Sequence, residues 1–247
     1  MKKALLLLVA LVLLAPAAAA QTYSAGMAGG PIEVPPGDPD GTGVAVVRIN
    51  GNIVQWEVGV ANIAAPTVGH IHRGGPGVAG PVVIGFDPLI FRNGVASGSA
   101  TVTDQALLDE IRANPGGFYV NIHNGEFPGG AVRGQLATAS AFSSELLGGP
   151  VEVPPGDPDG LGYSIVAVSG STVQYFFSTT NINQAAAAHI HRGGPGVAGP
   201  IVVGFNTPST GAASSGTVNV TDEALLNEIR ANPTGFYVNV HTADFPG

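Results

Sequence analysis

Apolar positions along this chain recur mostly at intervals of two. Tyr23-Ser-Ala-Gly-Met27 and Phe142-Ser-Ser-Glu-Leu146 place apolar residues two or four apart, the spacing of a half-buried strand. Val44 to Ile49 and Ile53 to Val60 flank Asn50-Gly51-Asn52, and Asn-Gly between two such runs predicts a tight hairpin. Strands are also predicted at His70-Ile71-His72, at Pro81 to Gly85, where proline stands at the start and is tolerated, at Ser99 to Val102, at Phe118 to His123 and at Ala131 to Leu136. The segment from Thr103 to Ala113 departs from this rhythm and reads as a helix. Thr103 or Asp104 would cap it and Asn114-Pro115 would stop it.

The same order of elements then returns. Glu33 to Gly41 recurs as Glu152 to Gly160, and Glu110 to Pro115 as Glu228 to Pro233. A period of this length is a domain duplication, because solenoid repeats are far shorter. Seven or eight short strands with Gly/Pro turns in each half predict an all-β protein. We expect two tandem antiparallel β-sandwiches of Greek-key, superoxide-dismutase-like or Ig-like type, each with one short helix. The expected domains are residues 21–138 and 139–247. The second repeat stops at Phe245-Pro246-Gly247 without a counterpart of Gly130 to Leu136. It reads as part of a longer chain or as a sandwich with an open edge, and the first is preferred because an open edge invites aggregation.

Composition narrows the setting. Lys2 and Lys3, the apolar run Ala4 to Leu14 and the small residues before Ala20 have the three zones of a secretory signal peptide, with cleavage expected after Ala20. Its loss takes nine basic residues to seven, all arginine, against 17 acidic ones, a net charge of −10. That argues against nucleic acid as a partner, which needs a basic face, and no later stretch is long or apolar enough for membrane insertion. Secretion to the periplasm, cell surface or medium is expected. Cysteine is absent, so disulfides add nothing to stability.

The histidines carry the chemistry. The twelve residues His70 to Pro81 recur unchanged as His189 to Pro200, and His123 and His241 each close a shared Gly-Phe-Tyr-Val-Asn-Ile/Val-His phrase. All six histidines therefore fall into two matched trios: His70, His72 and His123, and His189, His191 and His241. Side chains alternate across a strand, so His70 and His72 share a face about 6.5 Å apart along it. If Ile71, Phe118, Val120 and Ile122 fill the core, His123 emerges on that same outer face, where the glycine-rich loop can fold over all three. Three imidazoles suit copper or zinc, whereas calcium and magnesium want oxygen. Three ligands also leave a position open.

Other chemistries have less behind them. Asp38-Pro-Asp40-Gly41 and Asp157-Pro-Asp159-Gly160 are turn sequences without the remaining oxygen ligands of a calcium site. The Gly-Gly-Pro-Gly loop lacks the Lys-Ser/Thr of a phosphate cradle, and no serine sits in a nucleophile elbow. Arg73 and Arg192 are expected to be solvated, or to pair with Glu33/Glu152 or Glu126/Asp244, or to draw an anion to an open metal position.

Glu-Val-Pro-Pro, His-Ile-His-Arg-Gly, Gly-Pro-Val/Ile-Val, Phe-Tyr-Val-Asn-Ile-His and Phe-Pro-Gly-Gly-Ala-Val-Arg-Gly-Gln-Leu, in this order, resemble the CHRD domain, the module named for chordin and also found in exported bacterial proteins. The resemblance covers nearly all of residues 22–247. Gly130-Ala-Val-Arg stands where the family commonly has Gly-Glu-Ile-Arg, and the second repeat lacks this segment. The resemblance implies an extracytoplasmic β-domain and brings no established catalytic activity. The growth-factor antagonism of chordin does not carry over, because its cysteine-rich modules are missing. The histidine pattern is also similar to the copper half of Cu/Zn superoxide dismutase, without histidines for a zinc site or a fourth copper ligand. The expectation is thus an exported, non-catalytic binding protein with one copper or zinc ion per domain. An extracellular adhesion or partner-binding module with purely structural histidines, and a copper oxidoreductase, are the alternatives.

Overall fold

The computed structural model describes residues 20–92, 94–206 and 212–247, so the expected signal sequence lies outside the described residues except for Ala20. The fold is all-β and antiparallel, in two domains, with one helix in each.

In the first domain β1 (Gln21–Ala28), β2 (Thr42–Asn50) and β3 (Ile53–Ala61) form a meander. The turn between β2 and β3 holds Gly51 at φ +58°, a conformation that glycine adopts without steric cost. β4 (Pro66–Arg73) and β5 (Val82–Gly85) follow, then β6 (Phe91–Arg92) and β7 (Val95–Thr101). β7 is longer than the predicted Ser99 to Val102, because its N-terminal half pairs with both β6 and β3. Helix α1 (Gln105–Ala113) is capped by Asp104, whose carboxylate accepts from the Leu107 N–H at 3.0 Å. β8 (Phe118–Asn124), β9 (Val132–Gln135) and β10 (Ala137–Thr138) complete the domain.

The strands run β5-β4-β8-β9-β1-β2-β3-β7-β6, with β10 also on β1. β9 is the bridge: it pairs along β8 and meets β1 at Ala28↔Arg133. The two layers enclose Ala45, Val47 and Ile49, Val54, Trp56 and Val58, Ile71, Phe118, Val120 and Ile122, and Leu107, Leu108 and Ile111 of α1. Each strand contributes alternate residues, as its period requires.

The second domain repeats this plan with β11 (Ser140–Leu147), β12 (Leu161–Ser169), β13 (Thr172–Thr180), β14 (Ala185–Arg192), β15 (Ile201–Gly204), β16 (Ala213–Asn219), α2 (Glu223–Ala231) and β17 (Phe236–Thr242). Among the described residues its strands form two sheets, β11-β12-β13-β16 and β15-β14-β17. Among the described residues none of these strands bridges the two sheets as β9 does in the first domain.

The unbroken apolar run Val44-Ala-Val-Val47 has a tertiary explanation: both faces of β2 are covered, which removes the polar half of the alternation. Val44 and Val46 point away from the first core and pack with Ile165 and Phe176 of the second domain, all four fully buried. Around them Tyr163 donates to Glu57 at 2.5 Å, Ser215 to Thr42 at 2.8 Å, and Arg48 stands 3.7 Å from Glu57. The domains are therefore joined through the outer faces of their meanders.

Gly59 makes this contact close. A Cβ on it would lie 2.4 Å from the Phe176 ring, so the ring or the backbone would have to move. We expect Gly59→Ala to lower the urea midpoint by the equivalent of about 1–3 kcal/mol. Combined with Phe176→Ala, it should cost less than the sum of the two single losses, since the second change vacates the space that the first invades. Additive losses would show that the two positions do not meet.

Candidate metal centre

The pairing of β4 with β8 builds the centre. His70 lies opposite Asn121, Ile71 opposite Val120 and His72 opposite Tyr119, and the same unbroken register sets Val68 against His123, the shift coming only beyond it at Pro66. Directly paired residues share a face, so His70, His72, Tyr119, Asn121 and His123 all project outward, while Ile71, Val120 and Ile122 fill the core as predicted. The ligand-competent nitrogens of the three histidines lie within 4.8 Å of one another. His70 Nδ1 is 3.2 Å from His123 Nε2. Nitrogens about 2.1 Å from one ion in tetrahedral geometry stand about 3.4 Å apart, so a small turn of the rings closes the trio. In the second domain β14 and β17 pair in the same register, and His189, His191 and His241 meet the same 4.8 Å limit. The structure brings together every histidine singled out from the sequence.

Two ring orientations are fixed by backbone carbonyls. The Gly80 carbonyl accepts from His72 Nδ1 at 2.9 Å, and the Pro128 carbonyl from His123 Nδ1 at 3.1 Å. A carbonyl can only accept, so each Nδ1 carries the proton and each Nε2 presents its lone pair inward. His191 repeats this with the Gly199 carbonyl at 2.9 Å. Nε2 of His72 and of His191 is buried without a hydrogen-bond partner. Such an unmet group costs about 1–3 kcal/mol, which a bound ion would offset.

Burial also favours the neutral ring at His70, His72, His123, His189 and His241. It pulls His70 down to about 4, aided by the neighbouring His123 and His72. His72, His123, His189 and His241 are lowered as well, burial being the largest cause for each. Neutral imidazole is the form that binds metal.

The outer face is roofed rather than open. His72, His123, His191 and His241 are each only 8% exposed. The Tyr119 ring stacks on His72 at 4.9 Å, and its hydroxyl accepts from the Gly80 N–H at 3.1 Å. Gly80 thus hangs from Tyr119 through its N–H while its carbonyl orients His72. A Cβ on Gly80 would fall 1.6 Å from the Arg73 carbonyl, so only glycine fits. Tyr237 and Gly199 form the same arrangement on His191, with the stack at 5.0 Å. These residues were missed from sequence. The alternation that turns Phe118, Val120 and Ile122 inward puts Tyr119 on the face of His123, and is the signal that points to them.

Arg73 and Arg192 are exposed, as expected, and pair with none of the partners considered for them. Arg73 forks onto Glu110 of α1 at 3.1 and 2.6 Å, and Arg192 onto Glu228 of α2 at 3.2 and 2.7 Å. The helices dock beside the ends of β4 and β14, a neighbourhood that the sequence order does not reveal. Asp38 accepts from the Asp40 N–H at 3.4 Å, in keeping with turn chemistry. No helix among the described residues is long and apolar enough to cross a membrane.

An antiparallel β-domain repeated in tandem, each copy with a roofed histidine trio on its outer face, defines the class of protein. The CHRD domain profile matches residues 23–136 and again residues 142–247, and the chain belongs to the CHRD domain family. Comparison with curated proteins and with solved structures found no match.

Above pH 6.5 folded and unfolded chains both carry neutral His70, and its contribution to metal-free stability is constant. Below that value the unfolded chain takes up a proton that the buried ring refuses, so stability falls as pH drops toward about 4. Glu33 and Glu152, whose carboxyls burial pushes up, tilt the other way, so the comparison is made with His70→Gln. The metal-free parent should lose more in Tm between pH 7 and 4.5 than this variant does. Equal losses would show that the ring protonates freely in the folded state.

Proposed function

We propose that this protein is an exported, non-catalytic binding module that holds one copper or zinc ion per domain, the first through His70, His72 and His123 and the second through His189, His191 and His241. The observation that carries the reading is the convergence of three imidazoles within 4.8 Å, twice in one chain, with the rings of His72, His123 and His191 oriented by carbonyl contacts on Nδ1. Such outer contacts are what metal-ligating histidines generally require. A set of three nitrogens takes Cu²⁺ more tightly than Zn²⁺, so copper is the ion we assign. The three-zone segment ending at Ala20 and the acidic balance of the remaining chain support export and favour a cation over an anionic polymer. Retention or buffering of the ion outside the cytoplasm is the function that this chemistry serves.

Protein purified without a histidine tag should bind two Cu²⁺ per chain, with several coupled nitrogens in the EPR spectrum. His72→Ala together with His191→Ala should reduce binding to less than one tenth. Absence of stoichiometric binding by folded protein would return the histidines to a structural role in an adhesion module. Superoxide turnover by the copper-loaded form would move the assignment to an oxidoreductase.

A further inference from the structure

Arg133 is the largest fully buried side chain among the described residues. It stands on β9 opposite Asn121, next to the first histidine centre. Its guanidinium lies 3.5 Å over the Tyr119 ring, on which His72 stacks in turn. Nη1 donates to the Val78 carbonyl at 3.1 Å, and Nη2 to the Gly75 carbonyl at 3.2 Å and to Gln135 Oε1 at 3.1 Å. Gln135 in turn donates to the Gly74 carbonyl at 3.0 Å. The buried carboxylate of Glu33 lies 3.9 Å away.

These contacts converge on the roof. Gly74, Gly75 and Val78 belong to the loop that ends in Gly80, whose carbonyl orients His72. A burial this complete is costly for a charge unless it is paired and hydrogen-bonded, and here every bond but those to Glu33 and Gln135 goes to the loop or to the ring beneath it. A planar fork reaches two carbonyls and an aromatic face at once, which an ammonium does not.

The geometry points to Arg133 as a positioning residue of the first centre: it clamps the glycine-rich loop and Tyr119 so that the Gly80 carbonyl holds His72 in its ligating tautomer. The described arginines of the second domain make other contacts. Arg192 is engaged with Glu228, Arg230 with Asn227 and the Gly170 carbonyl, and Glu152 has Asn239 as its neighbour at 3.4 Å. The contacts of Arg133 all lie in the first domain, so the second centre serves as an internal reference for the first.

This inference rests on the proposed metal site, but its first test does not. In the metal-free full chain, the His72 Nδ1–H proton should give a slowly exchanging NMR signal, since a carbonyl holds it under a roof. Arg133→Lys should broaden or abolish that signal and leave those of His123 and His191 in place. The second test uses copper: release from the first centre should become faster by on the order of 10–100-fold in Arg133→Lys, while release from the second stays within about twofold of the parent. Tyr119→Phe keeps the ring and deletes the bond to Gly80, and should give the same His72 signature with a smaller structural change. An unaltered His72 signal in both folded variants would overturn the inference whether or not copper binds. Absence of copper from the parent would overturn the metal site alone.

Discussion

The antiparallel register of β4 against β8 is the constraint on which the molecule depends. Setting Ile71 against Val120 decides at once which side chains fill the core and which meet outside it. A slip of one residue would turn Phe118, Val120 and Ile122 to the surface and bury the imidazoles. The apolar set is therefore what holds the histidines in place. Because the core residues tolerate no other phase, the outer face inherits from them which side chains it presents.

That outer face would still be a loose cluster of rings without its roof. Three neutral imidazoles repel no charge, but each needs a partner for its second nitrogen. The loop from Gly74 to Gly80 supplies one through the Gly80 carbonyl, and the loop is itself suspended from Tyr119 and Arg133. This hierarchy explains why glycine recurs at positions 80 and 199: neither has room for a Cβ, and their two backbone groups are both committed. The second domain keeps the loop, the tyrosine and the trio, and joins the first through Val44, Val46, Ile165 and Phe176.

Much of this was legible in the sequence. The period-two phrases place Ile71, Phe118, Val120 and Ile122 inward and the histidines outward, and a strand has few other ways to arrange them. The Asn-Gly hairpin and the Asp104 cap follow from local backbone chemistry. What escaped reading depends on contacts between distant segments. The partner of Arg73 is Glu110, set by how α1 docks. The need for glycine at position 80 comes from the position of the Arg73 carbonyl in space. Nothing in the sequence singles out Arg133, and only the folded loop shows what it grips. The run Val44 to Val47 did carry a warning, since a strand apolar on both faces implies a second layer, which proved to be the other domain.

The central claim concerns a position in space, so crystallography at the copper edge tests it most directly. Crystals grown with Cu²⁺ should show one anomalous peak per domain, about 2.0–2.1 Å from Nδ1 of His70 and from Nε2 of His72 and His123, with the matching peak among His189, His191 and His241. Peaks elsewhere on the surface, with both trios empty and their rings turned to backbone partners, would contradict it.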